Sequence, residues 1–294
     1  MSVIFKNVCI IGTGLIGGSM ARAMRRNGLC EHITGFGRGE LNLKKAVELG
    51  VIDDYSLDFS KAVAKANLVI LATPLSAMQD LFELLKKHKP DDAVITDVGS
   101  AKACVIQAAE NVYGEVPSEY VPGHPIAGTE NSGVEASFAE LYDDRRVILT
   151  PHTNTDLGAI RAVKELWQQI GAKVSEMSPE HHDEVLAATS HLPHVLAFSL
   201  VDTLARMNER QEIFEYAAGG FTDFTRIASS DPVMWRDISL DNSDALLKMI
   251  DRFQQDLTEL RQAIADGDSD KIKQTFERAK DARDNFTLGS DQDK

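Results

Sequence analysis

Three scarcities narrow this sequence before any motif is read. Its 294 residues include only three cysteines, Cys9, Cys30 and Cys104. Scattered singly, they fit neither a disulfide framework nor metal-ligand spacing. Cys9 sits in an apolar run and reads as a small core residue. Long apolar stretches are scarce too. No run approaches the ~20 residues that span a bilayer, and the opening "MSVIFKNVCIIG" lacks the layout of a secretion signal. Positive charge is in deficit: 31 Lys and Arg stand against 45 Asp and Glu, a formal net charge of −14. That balance argues against general affinity for nucleic acid or anionic lipid, so an anionic ligand needs a local basic site. A cytoplasmic protein is the simplest expectation. At 43% hydrophobic and 26% charged residues, the chain is ordinary globular material for one large or two ordinary domains.

What is present falls into two halves. Apolar runs at 8–12, 33–37, 67–74, 93–99, 120–124 and 146–151 are separated by helix-like stretches such as 76–88 and 101–114. Continuous Val/Ile/Leu strands alternating with helices predict a mainly parallel sheet covered on both faces. From Ser178-Pro179, a capping hydroxyl followed by a first-turn proline, no strand pattern appears. Leu246, Met249, Ile250, Phe253, Leu257, Leu260 and Ile264 recur at helical steps. Ile272, Phe276 and Ala279 continue the pattern after "DGDSD". Such a helical half either dimerises through its apolar surface or closes as a monomer, and dimerisation is the expectation.

The first apolar run passes through Gly12-x-Gly14-x-x-Gly17 into a helix. The first glycine allows a tight turn, and the second lets backbone approach a pyrophosphate. The third brings helix and strand together, while the helix N-terminus offers its N–H groups to the phosphates. Alone this pattern often marks only a turn; in its strand–turn–helix setting it predicts dinucleotide binding. Leu15, Ile16, Thr73 and Pro74 are further cofactor-side candidates. The acid that usually ends the second strand and holds the ribose is missing. Gly37 stands there and Arg38 follows, so the expected cofactor is NAD or NADP, with a lean towards NADP. The predicted fold is an α/β Rossmann-type dinucleotide-binding domain over 1–178, then an all-α dimerisation domain over 179–286. A disordered tail is expected over 287–294.

Four segments carry polar residues that a fold alone does not demand. "DVGSAK" puts Ser100 and Lys102 just past a strand's carboxyl end, where open α/β sheets bind ligands; Ser100 equally suits a helix cap. "GHPIAGTE" fixes His124 between glycine and proline, with Glu130 close behind. That histidine either serves a turn or aims an imidazole at a ligand. "TSHLPH" supplies Ser190, His191 and His194 around Pro193, which must interrupt or restart a helix. No neighbouring ligands complete a metal site there. "GGFTDFTRIASSDPVMWRDI" supplies Asp223, Arg226 and Trp235. Its Ser230-Asp231-Pro232 starts a helix and leaves Arg226 in the preceding turn, where a structural ion pair is the default role.

Taken together, "DVGSAK", "GHPIAGTENSG", "TSHLPH" and "FTDFTRIASSDPVMWRDI" resemble the prephenate/arogenate (cyclohexadienyl) dehydrogenase family of tyrosine biosynthesis. The match is correctly ordered from the glycine turn to about residue 240. The resemblance implies a dinucleotide domain joined to a helical domain that dimerises. It implies oxidative decarboxylation of prephenate, arogenate or both, to 4-hydroxyphenylpyruvate or tyrosine, with hydride transfer to NAD(P)+. On the family's pattern His124 accepts a hydrogen bond from the substrate's C4 hydroxyl and Ser100 helps orient the pair. Arg226 binds a substrate carboxylate, and Ser190 and His194 are substrate-side groups. Glu130, Asp223 and Trp235 shape or gate the site. Two other readings stand beside it. One is a different small NAD(P)-dependent dehydrogenase, of the 3-hydroxyacid dehydrogenase or imine reductase type. The other is a dinucleotide-sensing regulator without turnover.

Overall fold

The computed structural model describes residues 4–129, 131–207 and 210–291. Six strands, β1 (Phe5–Ile11), β2 (Cys30–Phe36), β3 (Asp54–Ser56), β4 (Leu68–Leu71), β5 (Val94–Asp97) and β6 (Tyr120–Val121), form one sheet in the order β3-β2-β1-β4-β5-β6. All five pairings are parallel. The helices α1 (Leu15–Arg26), α2 (Glu40–Glu48), α3 (Phe59–Val63), α4 (Met78–His88) and α5 (Ala103–Tyr113) connect them. Side chains alternate across β1: Val8 and Ile10 enter one buried cluster, Cys9 and Ile11 the other. Both faces are therefore dry, which is why the strands read as unbroken apolar runs. The order of connection reverses between β1 and β4, and at such a switch point a doubly wound sheet opens a crevice at its carboxyl edge.

The apolar run 120–124 does not make one strand. Pro122 has no N–H to donate, and the chain leaves β6 there for β7 (Gly123–Pro125) in a second sheet. That sheet pairs β7 antiparallel to β8 (Arg146–Leu149), and β8 parallel to β9 (Lys173–Glu176), with α6 (Leu157–Gln169) between β8 and β9 in the chain. The strands β3 and β9 are not among the expected runs. One is only three residues long, and the other, "KVSE", holds a single apolar residue.

Beyond residue 178 every element among the described residues is a helix. Ser178 caps α7 (Pro179–Leu186), its Oγ accepting the His181 amide at 3.2 Å. A π-turn, Ala187–His191, joins α7 to α8 (Leu192–Ala205), with Pro193 inside the first turn of α8. The expected interruption at Pro193 is therefore a change of helical pitch within a continuous helix. The joined helix runs 27 residues, and its most apolar 18-residue window has mean hydropathy 1.2, enough by length and composition to cross a membrane; 28% of that window is buried. The apolar count along the sequence misses this because His191 and His194 interrupt the run; His191, like His182 and Asp183 earlier in the helix, is buried within the fold. Next come α9 (Arg210–Glu215), α10 (Gly219–Thr225), a 3₁₀ turn Arg226–Ser229 and α11 (Pro232–Asp241), which Asp231 caps by accepting the Met234 amide at 2.8 Å.

By internal packing the chain forms two units, 1–246 and 247–294. The first includes α7 to α11, so the packing division falls well past the expected boundary at 178. Two contacts account for this. Asp183 caps α5, and Ser76 donates to Asp237 at 3.3 Å. The second unit holds most of α12 (Ser243–Asp266) and all of α13 (Ser269–Asp291). Leu257, Ile264 and Phe276 are each more than half exposed on these helices. The tail expected to be structureless from 287 is helical to Asp291, since no proline stops α13; residues 292–294 lie outside the described residues.

Candidate active site

The glycine turn at the end of β1 is shaped as the spacing predicts. Gly12 has φ +97°, and a Cβ there would meet the Ala72 carbonyl oxygen at 2.3 Å. At Gly17 a Cβ would lie 2.2 Å from the Gly12 carbonyl oxygen, so the helix packs on the turn only without a side chain. At Gly14 a Cβ would meet nothing within 4 Å. That middle glycine faces open space, as a site for a diphosphate requires. Gly14 caps α1 without a side-chain bond, and no acid stands in the first turn of α1, so the helix N-terminus is available to an anion. Leu15 is buried in the core and Ile16 packs against it, so both present main chain rather than side chain to a ligand. Tyr142 pins the turn by donating its hydroxyl to the Ile16 carbonyl at 2.7 Å. Across the switch point, Thr73 and the exposed Pro74 follow β4, and the buried Thr73 hydroxyl has no partner. These features fit a dinucleotide. Beyond β2, Gly37 leaves room for a side chain and Arg38 is exposed.

His124 lies on β7, only 8% exposed. Its Nδ1 is 2.8 Å from Nε2 of His182, and Nδ1 of His182 is 2.8 Å from Oδ1 of Asp183. The Asp183 carboxylate also accepts the amides of Lys102 (2.8 Å) and Ala103 (2.9 Å) at the start of α5. Ser100, in the loop before that helix, is half-buried and is not its cap; Asp183 does that work from α7. Below them Lys102 and Asp97 form an ion pair with both side chains fully buried. Lys102 Nζ also donates to the Gly123 carbonyl at 2.7 Å, while Asp97 accepts the Tyr120 hydroxyl at 2.8 Å and the Gly123 amide at 3.2 Å. This buried network fixes the strand that carries His124.

Charge balance follows from these positions. Burial above all, then the neighbouring His182, Lys102 and His191, pushes the His124 imidazole well below its ordinary pKa, so it is neutral at pH 7. Burial also lowers His182, against the pull of Asp183. At Asp183 burial pushes upward, but the His182 and main-chain hydrogen bonds outweigh it and hold the carboxyl below its usual range.

A second group adjoins this one through His191. That ring accepts Asn242 Nδ2 at Nδ1 (3.0 Å), and burial lowers its pKa to about 4. Trp235 lies edge-on to it at 6.2 Å between centroids. On Trp235 stacks His194, with ring centroids 3.5 Å apart at 17°. His194 Nδ1 donates to the Ser190 carbonyl at 2.9 Å. Burial lowers the His194 pKa, and the Arg226 charge adds to that effect, which places the guanidinium in its neighbourhood. Arg226 itself is exposed on its 3₁₀ turn, and Asp223 is exposed on α10. Glu130 lies outside the described residues. Among the described residues no group of three His, Cys, Asp or Glu is arranged to hold a metal ion.

The structure thus brings His124, His194, Trp235 and Arg226 into two adjoining clusters and adds partners that the motifs did not single out: Asp97, Tyr120, His182, Asp183 and Asn242. Two signals pointed to them. Asp97 is an acid ending a buried strand, and "PEHHDEV" places a His-Asp pair inside an amphipathic helix. Neither says which residue across the fold it meets.

Comparison with known proteins follows the same lines. Residues 20–176 match the family model described as "Prephenate dehydrogenase, nucleotide-binding domain", and residues 178–278 match "Prephenate dehydrogenase, dimerization domain". A cyclohexadienyl dehydrogenase of Zymomonas mobilis is 41% identical over 99% of this chain and 98% of its own. A prephenate dehydrogenase of Bacillus subtilis is 40% identical over 96% of this chain and 76% of its own. The crystal structure of prephenate dehydrogenase from A. aeolicus with hydroxyphenyl propionate and NAD+ superposes with TM-score 0.90 at 39% identity, covering 97% of this chain and 99% of that one.

Proposed function

The chain belongs to the prephenate dehydrogenase family, and we propose that it oxidatively decarboxylates prephenate, arogenate or both with NAD+ or NADP+ as acceptor. The observation that carries this reading is a neutral, buried His124 held by a fully buried network on a strand beyond a dinucleotide-shaped turn. When bound at that turn, an NAD-type cofactor supplies the hydride acceptor. As C4 loses hydride its hydroxyl becomes strongly acidic, and a neutral imidazole takes first its hydrogen bond and then its proton. Gly123 and Pro125 limit the orientations of His124, which a reactive arrangement requires. Ser100 assists from the adjoining loop.

Arg226 supplies the local positive charge that an acidic protein needs for a dicarboxylate substrate, since a guanidinium grips a carboxylate bidentately. His194, Ser190 and Trp235 form the substrate-side wall beside it. On the family's pattern Asp223 and Glu130 shape or gate the site. Gly37 and Arg38 admit the 2′-phosphate of NADP, because no acid at the end of β2 repels it. The functional division runs at residue 178, and the partner is a second copy of the chain held through the helical domain, where Leu257, Ile264 and Phe276 are exposed. Three cysteines without a disulfide suit the cytoplasm. Family membership speaks against a 3-hydroxyacid dehydrogenase, an imine reductase or a regulator. A steady-state assay of prephenate and arogenate, each with NAD+ and NADP+, tests the assignment; turnover of neither substrate with either cofactor sinks it.

A further inference from the structure

We infer that Asp183 and His182 form a positioning relay that fixes which ring nitrogen of His124 carries its proton. Each hydrogen bond along the row has an assignable donor. The Lys102 and Ala103 amides donate to the two Asp183 oxygens and, being main-chain N–H groups, cannot reverse. The ionised carboxylate accepts only, so His182 donates to it from Nδ1 across 2.8 Å. A neutral His182 then keeps a bare lone pair at Nε2. That lone pair lies 2.8 Å from His124 Nδ1, which must donate. The proton of His124 therefore sits on Nδ1, and its Nε2 is left with a lone pair. The His182 side chain is fully buried, so water does not compete for either of its ring nitrogens. Asn242 Nδ2 holds the relay's far end by donating to the Asp183 carbonyl at 2.9 Å.

This inference rests on the reading of His124 as the hydroxyl acceptor, because Nε2 is then the only ring nitrogen able to accept. No proton travels along the row. When Nε2 gains the hydroxyl proton, the resulting imidazolium already directs its Nδ1–H at His182, and the carboxylate beyond stabilises the charge, as the acid of a Ser-His-Asp triad does for its histidine. The reversed tautomer presents an N–H to the substrate hydroxyl and cannot act as a base.

Two measurements test the relay. In the unliganded enzyme with ¹⁵N-labelled histidine, the shifts of His124 should show Nδ1 protonated and Nε2 bare, and Asp183→Asn should mix or reverse that pattern. In steady state, His182→Leu, which removes the acceptor, should lower kcat about 100-fold with KM little changed. His182→Gln places an amide oxygen where Nε2 stood and should recover at least about tenfold of that loss. Equal loss in both variants, loss in neither, or a His124 proton on Nε2 overturns the relay. If the Leu variant does not fold, the spectrum of the wild-type enzyme decides. Failure of the reaction assignment looks different: the wild type turns over no cyclohexadiene, whatever the tautomer.

Discussion

Lys102 Nζ donates to the Gly123 carbonyl, the residue before His124, at 2.7 Å, with the lysine side chain fully buried. Its other partner, Asp97, is equally buried, so removing the ammonium strands a carboxylate in the core. Lys102→Met should destabilise the protein by about 3–5 kcal/mol, the cost of breaking one half of a buried pair. For a chain of this size that lowers Tm by on the order of 10 °C. A thermal melt that moves by only a degree or two would show that water or rearrangement compensates Asp97.

His124→Asn should keep the fold and cofactor affinity while lowering kcat by roughly 10²–10⁴, the scale of a positioned acid–base group. Stopped-flow cofactor binding together with steady-state rates checks both halves. Near-normal turnover would remove His124 from the chemistry.

The pH profile follows from the direction of the His124 shift. The base works neutral, and burial, followed by the neighbouring His182, Lys102 and His191, holds its pKa well below the ordinary value. Activity should therefore hold steady as pH falls through about 6.5, the reference for an exposed imidazole, and decline only below it. Stability carries a parallel signature from His191, whose pKa is lowered to about 4. The unfolded chain binds this proton from about pH 6.5 downwards and the native state does not, so this histidine's contribution is full above pH 6.5 and is lost as pH falls towards 4. An acid limb in kcat/KM centred at or above 6.5 would contradict the buried environment of His124.

Arg226→Ala should act through the substrate. Loss of a charge-assisted hydrogen bond costs about 1.5–3 kcal/mol, or roughly 10- to 150-fold in kcat/KM. Dinucleotide affinity should stay put. Weakened cofactor binding with substrate affinity intact would place Arg226 in the other site.

At the end of β2 a Cβ on Gly37 would meet only Leu43, at 3.8 Å and 4.0 Å, so Gly37→Asp can be accommodated. The new carboxylate should shift the kcat/KM ratio towards NAD+ by bonding the ribose and repelling a 2′-phosphate. Arg38→Ala should weaken NADP+ selectively. A wild-type enzyme that uses NAD+ and ignores NADP+ would overturn this lean and leave the reaction untouched.

The parts governed by local physics were legible in the residues alone. Apolar runs such as "LVIL" report strands dry on both faces, since period and burial are properties of a few consecutive residues. Gly12 and Gly17 declare a backbone that no side chain can adopt or pack against. Ser178-Pro179 and Asp231-Pro232 begin their helices with hydroxyl or carboxylate caps that lie within three residues of their donors. The family motifs placed His124, His194, Trp235 and Arg226, and the fold brings them into adjoining clusters. What holds His124 follows from long-range packing. Its partner His182 is 58 residues away in sequence, and Asp183 caps a helix 80 residues before it. Such bonds depend on the packing of α7 against α5 and leave no local period. The sheet switch at Pro122 and the late division at residue 246 are decided in the same way. A proline says only that a ladder bond is missing, and a helical pattern says only which face is apolar. Where the chain goes next depends on which distant surface buries that face.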